Sequence, residues 1–225
     1  MSIDRVELFS VPIWRSRIPE MQPFAEQLRE QLLQQWRDGQ FQKHQYGYGY
    51  QTPSVLFDRD NLLASPAMQT LQQAFLSRVR EILRQRVNHT VHLPPDIYAS
   101  MAWALIQTNE DWVNGSWHDH APALISGCYY LQQPETTNET EGALAFQRPG
   151  SVDAFVQQVQ FVKPQQGDFI LFPSYLSHRP TPCPSAQDLR ISINMDAYVH
   201  WLHWDEAGKP RIHPERYRQL REDSL

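Results

Sequence analysis

Nine histidines are the side chains of this sequence best suited to chemistry, because imidazole serves both as a metal ligand and as a group that titrates near neutrality. Two of them stand in the run Trp117-His118-Asp119-His120, just before the apolar stretch ALISGCYYLQ. On an extended backbone side chains alternate, so His118 and His120 share one side and Asp119 takes the other. Imidazoles one pleat apart can reach a common metal ion. His178 follows far downstream, behind the stretch GDFILFP, and Arg190 then opens the run RISINMD, where Ser192 shares its face. Three protein ligands leave coordination positions open, and a buried arginine supplies a bidentate clamp for a carboxylate. Each part alone is ordinary, since His pairs are common on surfaces and a His after a strand is commonly structural. The combination is what carries meaning. His44, His89 and His92, near helix ends or a turn, and His200, His203 and His213, in a polar tail, form no comparable set and are read as incidental.

The elements that must position these residues divide by hydrophobic period. Over residues 23–38, Phe24, Leu28, Leu32, Leu33 and Trp36 recur at three- and four-residue spacing, with Pro23 suited to a first turn and Gly39 to a stop. After YGYGYQTPS, a loop or edge strand, a second helix is expected from Ser65-Pro66 to about Val87, with Met68, Leu71, Phe75, Val79, Ile82 and Leu83 as its apolar stripe. From about residue 90 the pattern becomes short β-branched or aromatic runs: TVHL, IYASMAWALIQTN, ALISGCYYLQ, GALAFQRP, AFVQQVQFVKP, GDFILFP and LRISINMDAYVHW. Such runs between Pro, Gly, Asn and Asp clusters suggest a sandwich or barrel. The expected fold is mainly β with N-terminal helices, a jelly roll with the helices packed on one sheet. No Gly/Ser-rich linker interrupts the chain, so 1–225 is read as one domain: 1–90 mostly helical support, 91–200 the jelly-roll core and 201–225 a C-terminal tail. The basic stretch KPRIHPERYRQLR in that tail is read as a solvated face, open to being a helix packed on the sheet.

Composition narrows the class. Of 225 residues 41% are hydrophobic, enough for a sizeable core, and 20 Lys+Arg against 25 Asp+Glu leave a net charge of −5. An acidic chain argues against nucleic acid as a partner, which needs clustered cations. The start has no apolar run fit for a signal peptide, and MAWALI falls far short of the ~20 residues of a membrane span. Cys128 and Cys183 form no paired framework. A cytoplasmic protein with no membrane partner is expected. Exposed Trp and Tyr would permit a homodimer.

WHDHAPALISGCYYLQ, followed by GALAFQRPG, GDFILFPSYLSHRPTP and LRISINMD, resembles the iron(II)/2-oxoglutarate-dependent oxygenases. The likeness is to a small bacterial and phage-type subgroup with an H-x-H, an S-G-x-Y-Y, an L-F-P-S…H and an R-I-S block, and LFSVPIW resembles that subgroup's opening. The resemblance implies a double-stranded β-helix, that is, a cupin-like jelly roll. It implies that His118 and His178 are iron ligands and that Arg190, helped by Ser192 and by the Tyr130 hydroxyl, pairs with the far carboxylate of 2-oxoglutarate. His120 stands where most of the superfamily has Asp or Glu, so the metal would face three imidazoles; Asp119 serves instead only if a bulge turns it inward. The implied activity uses Fe(II), 2-oxoglutarate and O2 to hydroxylate a C–H bond of a small molecule, amino acid or peptide, releasing succinate and CO2. Trp103, Trp112, Trp117 and Tyr129 are candidate pocket walls, with aromatic core the plainer reading for Trp103 and Tyr129. Two other classes stay open: a three-His cupin-type metalloenzyme without 2-oxoglutarate, and a non-catalytic β-sandwich binding protein.

Overall fold

Both amphipathic segments fold as helices in the computed structural model, which describes residues 11–53, 65–86, 97–111, 116–150, 158–199, 202–204 and 210–212. Helix α1 (Ala25–Arg37) buries Leu28, Leu32 and Leu33. It starts two residues after Pro23 because the chain first makes a 3-10 turn at Pro19–Met21 that buries Met21. It ends at Gly39, whose φ of 74° places the next amides back on the helix: Gly39 N–H donates to Trp36 O and Gln40 N–H to Gln35 O. Helix α2 (Pro66–Arg86) opens with the Ser65 hydroxyl accepting from Met68 N–H at 3.4 Å, and buries Met68, Leu71, Phe75, Val79 and Ile82 along one stripe.

The strands of the first part are β1 (Trp14–Arg17), β2 (Gln42–Lys43), β3 (Tyr50–Gln51) and β4 (Ile97–Gln107). Then come β5 (Ile125–Gln132), β6 (Leu144–Gln147), β7 (Val159–Val162), β8 (Asp168–Pro173), β9 (His178–Pro180) and β10 (Arg190–Val199). A hairpin of β11 (Leu202–Trp204) and β12 (Pro210–Ile212) follows. It replaces the start of the helix considered for the basic tail. TVHL lies outside the described residues. β1 and β9 escape the sequence pattern because segments so short show too little alternation, and β1, β2 and β3 arise within the stretch read as helical support.

One sheet has seven strands in the order β1-β8-β5-β10-β4-β3-β2 and another has three in the order β7-β6-β9, with every pairing antiparallel. No ladder among the described residues joins the two, so they are open layers and not a closed barrel. Period-2 alternation sorts the large sheet's faces. Ala102, Ala104, Ile106, Ile125, Tyr129, Leu131, Phe169, Leu171, Ile191, Ile193 and Met195 join the helices in one core. Cys128, Tyr130, Ile170 and Phe172 turn the other way and pack with Leu144 and Phe146 of the small sheet. A register shift between Asp196 and Ala197 absorbs one extra residue of β4, so Ile97 and Ala99 stay on the helix side despite the change of parity. Gly127 is required on that side: a Cβ there would lie 2.8 Å from the Phe169 ring and 2.9 Å from that of Phe75. No described helix is long and apolar enough to cross a membrane.

Candidate active site

The pocket lies on the face of the large sheet turned away from the helices. β10 sends Arg190, Ser192, Asn194 and Asp196 to that face, the polar half of its alternation. Register places Tyr130 beside Ser192, Cys128 beside Asn194 and Ser126 beside Asp196, while on the other flank β4 brings Gln107 to Arg190 and Trp103 to Asn194. The small sheet covers this floor with Leu144, His178 and Pro180.

Over it three imidazoles converge. His118 and His178 form an isolated antiparallel bridge, and the ring centroids are 4.5 Å apart for His118–His178, 5.1 Å for His118–His120 and 4.9 Å for His120–His178. One ring nitrogen from each lies within 4.8 Å of the others. The hydrogen bonds define the tautomers. His178 Nδ1–H donates to Leu176 O at 2.9 Å, and His120 Nδ1 lies 2.9 Å from Asp196 Oδ1. His118 Nδ1 is 3.3 Å from the Tyr48 hydroxyl, which itself donates to Ser116 O and can only accept from the ring. Each Nδ1 thus faces an acceptor, the arrangement that leaves Nε2 as the ligand atom of a neutral ring.

Burial keeps two of these rings neutral. It lowers His118 to about 4, aided by the neighbouring His120, and holds His178 well below the ordinary histidine value, with His120 and His118 contributing. Three imidazoles gathered this closely form a donor set for a divalent transition metal. Asp119, by contrast, is exposed, its carboxylate accepting from Ala121 N–H at 3.0 Å.

Arg190 lies deeper, 2% exposed. Its Nη1 donates to Gln107 Oε1 at 3.0 Å and its Nη2 to the Tyr130 hydroxyl at 3.2 Å, while its Nε has no partner among the described residues. Among the described residues no carboxylate pairs with it. Burial raises the Tyr130 phenol well above its usual value, with nearby Cys128 adding to the effect, so the phenol remains a proton donor. A buried cation, an unused N–H and a phenolic O–H beside the buried Ser192 hydroxyl fit a carboxylate ligand.

All six residues singled out in the sequence line or border this one pocket. Trp103 also lines it, half-buried with its ring 5.3 Å from that of His120, whereas Tyr129 faces the helix-side core at 6.2 Å from Phe169. Arg179 lies over Trp117 at 4.5 Å, and Trp112 falls outside the described residues. His44, read as incidental, lines the pocket with Tyr48, and the two rings are 4.8 Å apart. His203 lies on β11, and His89, His92, His200 and His213 fall outside the described residues. Sequence reasoning missed Tyr48 and Asp196. The second shares the parity of Arg190 and Ser192 on one strand, which is the signal that could have exposed it.

Residues 101–196 match a family model whose description is "Putative 2OG-Fe(II) oxygenase". No curated protein sequence matches the chain significantly. Among solved structures, a Pseudomonas putida prolyl-4-hydroxylase is similar at 14% identity, covering 85% of this chain and 94% of that one with a TM-score of 0.53. AviO1 from Streptomyces viridochromogenes Tue57 is similar at 13% identity over 89% and 92% of the two chains, with a TM-score of 0.60. HygX from Streptomyces hygroscopicus, solved with nickel, 2-oxoglutarate and hygromycin B bound, is 12% identical over 86% of each chain, with a TM-score of 0.55. These likenesses show the fold; the matched segment and the three-histidine cluster on it carry the rest. The segment that carries all three histidines thus matches the 2OG-Fe(II) oxygenases, oxidoreductases that work with iron(II), 2-oxoglutarate and dioxygen.

Proposed function

We propose that His118, His120 and His178 hold the iron(II), and that Arg190, Ser192 and Tyr130 hold the far carboxylate of 2-oxoglutarate, within one double-stranded β-helix (jelly-roll) domain. The enzyme hydroxylates a C–H bond of a small molecule, an amino acid or a peptide. The observation that carries this reading is the convergence, in one pocket, of three imidazoles with engaged Nδ1 atoms and a buried guanidinium with a free Nε. When bound, the metal and cosubstrate supply the oxidising power through oxidative decarboxylation to succinate and CO2. The protein's share is binding, orientation and exclusion of water. Arg190 and the Tyr130 and Ser192 hydroxyls orient the cosubstrate by its distal end, while Leu144 and Phe172 keep the floor dry. The names of the compared proteins, a prolyl-4-hydroxylase and a protein crystallised with hygromycin B bound, support a small-molecule or peptide substrate.

Three neutral ligands favour a second reading, a three-His enzyme without 2-oxoglutarate, but that reading leaves Arg190 buried without an anion. Anaerobic addition of Fe(II) and 2-oxoglutarate tests the choice. A visible metal-to-ligand charge-transfer band and succinate release during aerobic turnover are expected. A protein that shows neither band nor rise in melting temperature lacks the proposed site.

A further inference from the structure

We infer that Asp196 is the negative charge of this metal centre, held one imidazole away from the metal instead of on it, and that it acts as a positioning residue through His120. The inference rests on the reading of His118, His120 and His178 as metal ligands.

Asp196 is 3% exposed on the pocket-facing row of β10. Its Oδ1 accepts from His120 Nδ1–H at 2.9 Å and from the Ser126 hydroxyl at 2.6 Å. Ser126 Oγ lies 3.0 Å from Ser174 Oγ, and Ser174 O accepts from the His120 amide at 2.8 Å, so ring, serines and carboxylate form one connected set. Among the described residues His120 is the sole ion-pair partner of Asp196, and no Lys or Arg reaches it. A buried carboxylate without a cation is costly, and two neutral donors offset only part of that cost. A divalent ion held by His118, His120 and His178 would supply the missing positive charge.

Seen from the metal, the same charge is equally needed. The common non-haem iron triad has two His and one carboxylate. Three imidazoles bring no anion, and His120 stands where the carboxylate would be. A carboxylate on Nδ1–H polarises the ring, makes Nε2 a stronger donor and returns negative charge toward the metal. It also prevents the ring from flipping, because a flipped His120 would lose its bond to Asp196.

A hydrolytic relay is the other chemistry that Ser126, His120 and Asp196 bring to mind, and the geometry excludes it. A relay needs the acid on one ring nitrogen and the nucleophile on the other. Ser126 Oγ sits 3.2 Å from Nδ1, the nitrogen that Asp196 already holds. The serine supports the carboxylate and activates nothing.

Asp196→Asn tests the inference, since it keeps an acceptor of the same shape and removes the charge. Cobalt(II) titration of the purified protein should show affinity about 10- to 100-fold weaker in Asp196→Asn than in wild type. The Fe(III)/Fe(II) midpoint potential of the iron-loaded variant should move to more positive values, and Asp196→Glu should recover part of both losses. A purely structural role would change melting temperature and leave the potential alone. A variant with wild-type cobalt affinity and wild-type potential overturns the inference while leaving the metal site standing. A wild-type protein that binds no cobalt overturns the metal site, and the inference with it. Should the Asp196→Asn variant fail to fold, histidine-15N-labelled wild type loaded with Zn(II) supplies the same decision. His120 Nδ1 must carry a proton resonating farther downfield than those of His118 and His178, because its acceptor alone is charged. An unprotonated His120 Nδ1, or one no farther downfield, refutes it.

Discussion

His118 and His178 hold each other by their backbones: His118 N–H donates to His178 O at 3.2 Å and His178 N–H to His118 O at 2.9 Å, which sets their rings 4.5 Å apart. The spacing of two proposed ligands is therefore independent of their side chains. His178→Ala should keep the backbone bridge and the fold yet lose metal binding by at least the roughly 10–100-fold that removal of an outer partner costs. Calorimetric titration with Fe(II) or Co(II), beside circular dichroism, checks both halves. Unchanged affinity would remove His178 from the site.

Arg190→Ala should leave metal affinity near wild type and weaken 2-oxoglutarate by about 10- to 100-fold, the equivalent of roughly 1.5–3 kcal/mol for hydrogen bonds to a charged group. Arg190→Met carries a different expectation. The guanidinium is buried without a carboxylate partner among the described residues, so an apolar chain of similar length should leave the melting temperature of the metal-free protein unchanged or raised. Thermal melts with and without 2-oxoglutarate separate the two effects.

Gly127→Ala acts on the opposite face. Its methyl would meet Phe169 at 2.8 Å and Phe75 at 2.9 Å, two rings locked between sheet and helices. Overpacking there should cost about 1–3 kcal/mol in urea unfolding, with metal affinity less affected because the pocket is on the other side of the sheet.

Histidine burial predicts a pH dependence. Burial lowers His44 to about 4, and burial with the neighbouring His120 does the same to His118, against an unfolded value near 6.5. Between those values the unfolded chain binds more protons, so stability rises with pH. The metal-free protein should therefore hold full stability above about pH 6.5 and lose it progressively as pH falls toward 4. His44→Gln should flatten part of that slope in melts taken across this range. An equally steep profile would show that His44 contributes nothing to it.

The sequence by itself determined which side chains share a face. In Arg190-Ile191-Ser192-Ile193-Asn194-Met195-Asp196 the strand period separates four polar residues from three apolar ones, and the helix period gave α1 and α2 their stripes along Leu28 and Leu32 and along Leu71, Phe75 and Val79. That period is a local property of the backbone, readable without any partner. Which face would be solvent and which a pocket was not local. The polar row of β10 reads equally well as a wetted surface, and it becomes an interior only because the helices take the Ile191–Ile193–Met195 side and the small sheet covers the other. Tertiary structure alone brought Asp196 behind His120, Gln107 to Arg190 and Tyr48 to His118, across wide separations in the chain. Hydrogen bonds between distant residues leave no periodic trace in composition or spacing, and they decide which ring nitrogens stay free for a metal.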